Sequence, residues 1–272
     1  MSPQPYRSSI LFVSCAFALS AACVAPGDAL AQSAPNHPGY AFGKPGGEAL
    51  LALGAGLANL ASALPQRDTG WMPDAPHPYS RTADRLSDVT GAYGGAAIGL
   101  LAGFGLETAY FGESGVRGGW VYAERTALVE LESLFFTRGL VDTLKRLTGR
   151  CRPQYALGNG QCSPSVKDAF PSGHTAPMGA LAATRLTFAF QSTGPSGYRW
   201  GSFALAETMA IVTAFLRVRA GKHSWSDVIA GFLLGHATGA LIALLHPMEP
   251  VPPGDLTFAE STGQGGFGLL RR

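Results

Sequence analysis

Apolar residues fall along the chain in long blocks, cut by short polar runs rich in Gly, Pro and charge. Residues 48–64 (EALLALGAGLANLASAL) are apolar and rich in helix formers, and residues 65–86 are a polar, Pro-containing connection. Apolar or amphipathic blocks follow at 87–111, 119–149, 174–190, 202–217 and 226–245, each predicting a helix. Ser87 or Asp88 is a candidate cap for the second block. The third carries Glu124, Glu130, Glu132 and Arg138 and is amphipathic. Period-two alternation is missing, so few strands are expected, and no internal repeat is evident. The expected fold is all-α, a bundle of about six main helices with the functional site at the helix ends on one side. The segment from 249 to 272 is Pro- and Gly-rich and is expected to be loosely attached.

A bilayer span needs about 20 mainly apolar residues. The second and sixth blocks qualify, the first and fifth are short, and the acids of the third are expensive in lipid unless they face a bundle interior. Composition points the same way: charged residues are 14% of the chain and hydrophobic ones 46%, against a globular norm of about 25% charged. The pattern fits a well-buried helical bundle or one in contact with a membrane. A net charge of +2 gives no case for a nucleic-acid partner, and no basic stripe with interleaved aromatics is present. Nothing in the pattern sets an oligomeric state.

Residues 1–31 have the layout of a secretory signal peptide. Arg7 precedes an apolar core, ILFVSCAFALSAACVA, and the small residues of ALA at 29–31 would direct cleavage before Gln32. The competing reading is a transmembrane anchor. Cleavage would remove Cys15 and Cys23 and leave Cys151 and Cys162 in one polar segment. In an oxidising compartment these two thiols are expected to pair; the alternative is two free thiols. No accompanying Cys or suitably spaced His points to a metal.

Three polar clusters interrupt the helices: KRLTGRCRP at 145–153, FPSGHT at 170–175 and RVRAGKHSWSD at 217–227. Singly, each has an ordinary structural role: basic residues at a helix C-terminus, a turn before a helix, a helix start with an acid in its first turn. Together they compose a site for a tetrahedral anion. Lys145, Arg152 and Arg217 supply charge and forked donors. Ser172 and the amide of Gly173 can donate at a helix start. His174 and His223 supply two imidazoles, and Asp227, one turn beyond His223, can accept its Nδ1–H and leave Nε2 unprotonated.

These clusters resemble the signature motifs of the type-2 phosphatidic acid phosphatase and vanadium haloperoxidase superfamily. The correspondence runs from Lys145 through six residues to Arg152-Pro153, then Pro171-Ser172-Gly173-His174, then Arg217, five residues, His223, three residues and Asp227. It covers roughly residues 90 to 246. It departs at Leu216, where the family has a Ser that is not a principal catalytic group. The resemblance implies that His223 attacks phosphorus and forms a phosphohistidine, that Asp227 orients it, and that His174 protonates the leaving oxygen. Lys145, Arg152, Ser172, Gly173 and Arg217 would hold the phosphoryl oxygens, with no metal or other cofactor. The expected function is a metal-independent phosphatase of phosphate monoesters or pyrophosphates, with a lipid-linked substrate favoured by the leader and the apolar helices. Membrane association and a site facing away from the cytoplasm, in the periplasm or cell-envelope membrane, go with that reading. A vanadate-dependent haloperoxidase and a non-catalytic envelope protein are the alternatives. The expected organisation is a leader at 1–31, a helix with its connection at 32–86, the catalytic unit at 87–248 and the tail at 249–272.

Overall fold

The computed structural model describes residues 37–39, 47–74, 78–91, 94–113, 118–156, 162, 167–192 and 196–249. Residues 1–31, expected to be a leader, and residues 250–272 of the expected tail lie outside them. Seven α-helices are present among the described residues: α1 (Gly47–Ala63), α2 (Arg81–Thr90), α3 (Gly94–Glu113), α4 (Gly118–Thr148), α5 (Thr175–Gln191), α6 (Ser196–Arg219) and α7 (Trp225–Leu244). All but α2 have 17 residues or more, so the expected bundle of about six main helices is the fold. The strands are two residues each: β1 (His37–Pro38) pairs antiparallel with β2 (Met248–Glu249). Glu249, assigned to the tail from sequence, is therefore the last residue of a strand.

The second apolar block differs from its expected form. Residues 81–90 make a separate helix, capped by Ser80, whose Oγ accepts from the Ala83 amide at 3.5 Å. The chain then breaks at Gly91. A Cβ there would lie 2.5 Å from the Ser87 carbonyl and 3.0 Å from His174 Cδ2. The break thus lets the α2 terminus press against an imidazole. The division expected at 86/87 falls inside α2, which carries two acids, Asp84 and Asp88, with the buried hydroxyl of Ser87 between them.

At the centre α7 lies on α5 almost backbone to backbone. Gly231, Gly235 and Gly239 recur every four residues, which puts them on one face of α7. A Cβ at Gly235 would sit 2.0 Å from the Ala176 carbonyl oxygen, and one at Gly239 would sit 2.1 Å from that of Ala180. Gly231 meets the Ser172 carbonyl at 2.8 Å on the same terms, so this seam also fixes the loop before α5. Small-residue stripes permit such approach in lipid as in water. Gly235→Ala is expected to cost at least about 2 kcal/mol by overpacking, read as a lowered thermal midpoint in detergent. Gly105→Ala on α3 meets no atom within 4 Å and is expected to leave the midpoint level or raise it. Equal midpoints for Gly235→Ala and the parent would refute the close seam.

Among the described residues, three helical stretches are long and apolar enough to cross a membrane: Arg81–Glu107, Gly197–Arg219 and Trp225–Leu244. The second of these was expected to be too short, but α6 begins six residues earlier than the apolar block at 202. Leu101 (76% exposed) on α3, Leu205 on α6 and Leu233 and Leu244 on α7 point outward. Apolar surface on this scale suits lipid contact, and the protein is membrane-associated.

Candidate active site

Three loops meet at one end of the bundle. The first leaves α4 after Lys145. Gly149, at φ +57°, turns it sharply, and a Cβ there would lie 1.9 Å from the Arg67 carbonyl. The connection 65–74 straps over this loop: the Arg67 amide donates to Arg146 O (3.0 Å) and the Cys151 amide to Trp71 O (3.0 Å). The second loop runs from Lys167 to His174 and caps α5. The third joins α6 to α7 through Gly221, at φ +70°. Its Asp227 carbonyl accepts from the Ser172 amide at 3.0 Å, which ties the second loop to the third. Cys151 and Cys162 are joined by a disulfide, with Cα atoms 5.9 Å apart, next to Arg152.

His223 is buried, and its Nδ1 lies 2.7 Å from the Ala169 carbonyl. A carbonyl can only accept, so Nδ1 carries the proton and Nε2 keeps its lone pair. This corrects the expected partner. Asp227 Oδ2 is 3.8 Å from that nitrogen, too far for a hydrogen bond. The Asp227 side chain is engaged elsewhere: Oδ2 accepts from the Ser224 amide at 2.7 Å, the first turn of α7, and Oδ1 accepts from Arg150 Nη1 at 2.7 Å. Asp227 therefore shapes the loop that holds His223 rather than the ring itself. Burial first, then the cations Arg217, Arg152 and Lys145, hold His223 well below the usual imidazole range, so the ring is neutral.

Arg150 was absent from the expected set. It is 1% exposed and reaches Asp227, Asp74 Oδ1 (2.6 Å), Ser226 Oγ (2.5 Å) and the Met72 carbonyl (3.3 Å). Its guanidinium carbon also stands 4.5 Å over the Trp71 ring. Ser226 in turn donates to Asp74 Oδ2 at 2.7 Å. One arginine thus joins the connection 65–74, the first loop and the start of α7. Burial opposes ionisation of Asp74, but Ser226 and Arg150 outweigh it and hold its carboxyl below the usual range.

The proposed anion ligands converge, each in its own setting. Arg152 gives Nε and Nη2 to Asp168, both at 2.7 Å. The side-on fork expected for phosphate is thus spent on a carboxylate, and the remaining N–H groups are left for an anion. Burial pushes Asp168 up, but Arg152 and Lys145 hold it below the usual range. Arg217 gives Nη1 to Asp84 Oδ1 (2.9 Å) and Ser87 Oγ (3.1 Å), while its buried Nε has no hydrogen-bond partner. Such an orphaned charged donor is costly without an acceptor. Lys145 Nζ lies 3.0 Å, and Arg138 Nη1 3.5 Å, from where a Cβ on Gly173 would be; glycine leaves both cations beside the backbone at the mouth of α5. Burial pushes Lys145 down to about 8, with Asp168 opposing and Arg152 and Arg138 adding to the shift. Ser172 Oγ is 3.0 Å from Thr175 Oγ1 and accepts from the Thr175 amide at 3.4 Å.

His174 Nε2 lies 3.0 Å from Asp88 Oδ1, and the same carboxylate oxygen is 3.6 Å from Arg217 Nη1. Burial and then Arg217, Lys145, Arg138 and Arg152 push His174 down to about 3. The ring is neutral, and with a carboxylate opposite, the proton sits on Nε2. Beside Lys145 a polar cleft of about 560 Å³ opens toward α1, lined by Ala61, Gln66, Arg138, Lys145, Lys167 and Asp168. Among the described residues, no group of three or more His, Cys, Asp or Glu side chains is placed to hold a metal ion.

Sequence motifs alone missed Arg138, Arg150, Asp88 and Asp168. Arg138 had a signal, since it stands seven residues before Lys145 on α4 and so on the same face. Asp168 had none beyond proximity to a motif, and Asp88 had none.

A helical bundle whose end gathers two neutral imidazoles and four cations defines an anion-binding site with acid–base groups. The PAP2 superfamily model matches residues 126–250, the part of the chain that carries all three loops of the site. A lipid A 1-phosphatase of Rhizobium johnstonii is 34% identical over 119 residues, a match covering 42% of this chain and 45% of that protein. The chain thus spans less than half the length of that relative. No solved structure matches it.

Proposed function

We propose that this protein is a phosphatase acting on phosphorylated lipids through a phosphohistidine at His223. The observation that carries this is the buried, neutral His223. Its Nδ1 is held by Ala169 O and its Nε2 keeps a lone pair, within the field of Lys145, Arg152 and Arg217. Nε2 attacks phosphorus, the bond from phosphorus to the ester oxygen breaks, and that oxygen takes the electron pair and a proton from His174. His174 holds no extra proton in the free protein. An arriving phosphate cancels much of the cationic field that depresses it, and the ring can then carry the proton it donates. In the second half, His174 takes a proton from water, the hydroxide attacks the phosphohistidine, and the P–N bond breaks to release inorganic phosphate. Lys145, Arg152, Arg217 and the Gly173 amide stabilise charge on the equatorial oxygens. The cleavable leader pattern and the disulfide support export, with the site facing away from the cytoplasm. The lipid A 1-phosphatase relative and the apolar helices support a lipid-linked substrate.

The test is phosphate release by the purified protein in detergent from phosphatidic acid, a lipid A 1-phosphate and p-nitrophenyl phosphate. Release from the lipids is expected, and it is expected to survive EDTA because the side-chain cations supply the positive charge. The kcat/KM profile reports groups of the free enzyme. It is expected to fall as pH rises through about 8, where Lys145 loses its charge. Lys145→Arg should remove that alkaline limb, since guanidinium does not titrate there. No release from any of the three substrates would end this reading.

A further inference from the structure

A second cavity, separate from the polar cleft, lies along the bundle side. It encloses about 400 Å³ between α3 and α6, with α5 as its floor. The two wall helices barely touch, and both present glycines: Gly95, Gly99 and Gly103 on α3, Gly197 and Gly201 on α6. Its lining is otherwise almost entirely apolar. One end adjoins the candidate active site. Met178, in its floor, stands one turn beyond His174, and a Cβ on Gly95 would be 3.3 Å from the Met178 sulfur. Gly91, one turn before Gly95, abuts His174 Cδ2.

The other end is closed by polar groups already engaged with one another. Arg185 pairs with Glu107 and Glu130, and Tyr198 donates to Glu107 Oε1 at 2.6 Å while lying 3.1 Å from Arg185 Nη1. Arg185 and Tyr198 both line the cavity. A knot of this kind gives a hydrocarbon no partner, and displacing it would strand buried charges.

We infer that this cavity holds one hydrocarbon chain of the phosphorylated lipid, running from the leaving-group side of the site to the Arg185–Tyr198 knot, and that the knot sets the chain length accepted. This rests on the phosphatase reading for the head group. His174 and Arg185 are eleven residues apart on and before α5, about 16 Å by helical rise. An extended chain advances roughly 1.2 Å per bond, so the span takes about 14 carbons. The occupant is a hydrocarbon rather than a peptide because the walls leave no free backbone or side-chain donors along that length, and because the cavity opens beside a site built for a phosphate.

Gly201 gives a clean probe, because a Cβ there meets nothing within 4 Å. Gly201→Leu fills the cavity without pushing on the backbone, and Gly197→Leu, equally open, is the second variant. The readout is the ratio of kcat/KM for ditetradecanoyl over dibutanoyl phosphatidic acid. It is expected to fall about tenfold or more in both variants, since each lost methylene contact weakens binding severalfold. Gly105→Leu, also in open space on α3 but outside the cavity, should leave the ratio unchanged. An unchanged ratio in Gly201→Leu and Gly197→Leu overturns the inference. A binding arm stands apart from turnover. In the His223→Ala protein, tetradecylphosphonate affinity should drop with Gly201→Leu while methylphosphonate affinity holds. Failure of the parent to release phosphate from any lipid refutes the phosphatase alone, and the binding arm then still decides the cavity.

Discussion

His223→Ala is expected to lower turnover by roughly four orders of magnitude or more and to abolish the covalent phosphoenzyme. The ring is buried, its Nδ1 is committed to the Ala169 carbonyl, and Asp227 stands 3.8 Å away. Nothing else at the site offers an unprotonated nitrogen in the same cationic field except His174, whose proton faces Asp88. The measurement is acid-quenched trapping of labelled phosphate on the protein, beside steady-state phosphate release. His174→Ala should differ in kind: the phosphoenzyme still forms from substrates with good leaving groups and then persists, because water is no longer deprotonated. Parent-like turnover in His223→Ala would sink the covalent route.

Arg150→Met is expected to destabilise the protein by about 3–5 kcal/mol, because it removes the ion-pair partner of the buried Asp227 carboxylate. For a chain of this size that corresponds to a thermal midpoint lowered by about 6–20 °C. Turnover should fall as well, since the network that Arg150 completes holds the Ser224–Asp227 turn from which His223 projects. Stability and positioning separate in the double variant Arg150→Met/Asp227→Asn. The buried charge is then gone, so much of the lost stability should return, while kcat stays low because the turn has lost the Arg150 bridge to Asp74 and the Met72 carbonyl and keeps only the Ser226–Asp74 hydrogen bond to the 65–74 strap. Full recovery of kcat in the double variant would show that Arg150 acts on stability alone.

The helices and the motif chemistry were legible in the sequence for a simple reason. An apolar block of 16 to 31 residues has one economical backbone solution, and the spacing of Lys145, Arg152, His174, Arg217, His223 and Asp227 is a local property of the chain. The sequence also pointed to two thiols close enough to pair, which the fold joins as a disulfide, and to a membrane-associated molecule. It misjudged elements whose limits depend on neighbours. Residues 81–86 read as part of the polar connection, yet they fold together with 87–90 as α2, capped by Ser80 and with Asp84 taken up by Arg217 and Lys222 across the bundle.

What only the tertiary structure decided is who partners whom. Helical spacing places Asp227 one turn from His223 and makes a hydrogen bond between them look natural. The fold instead brings the Ala169 carbonyl to the ring and Arg150 to the carboxylate. Asp88 and Asp74 reach the site from segments 86 and 152 residues away from His174 and Ser226, and Asp168 lies 16 residues from Arg152; no local pattern marks them. Hydrogen bonds and ion pairs are satisfied by whichever group the packed chain delivers within about 3 Å. Composition and spacing therefore determined the kind of site this chain builds. The glycine seam of α7 on α5, the strap at 65–74 and the α2 break at Gly91 decided which atoms complete it.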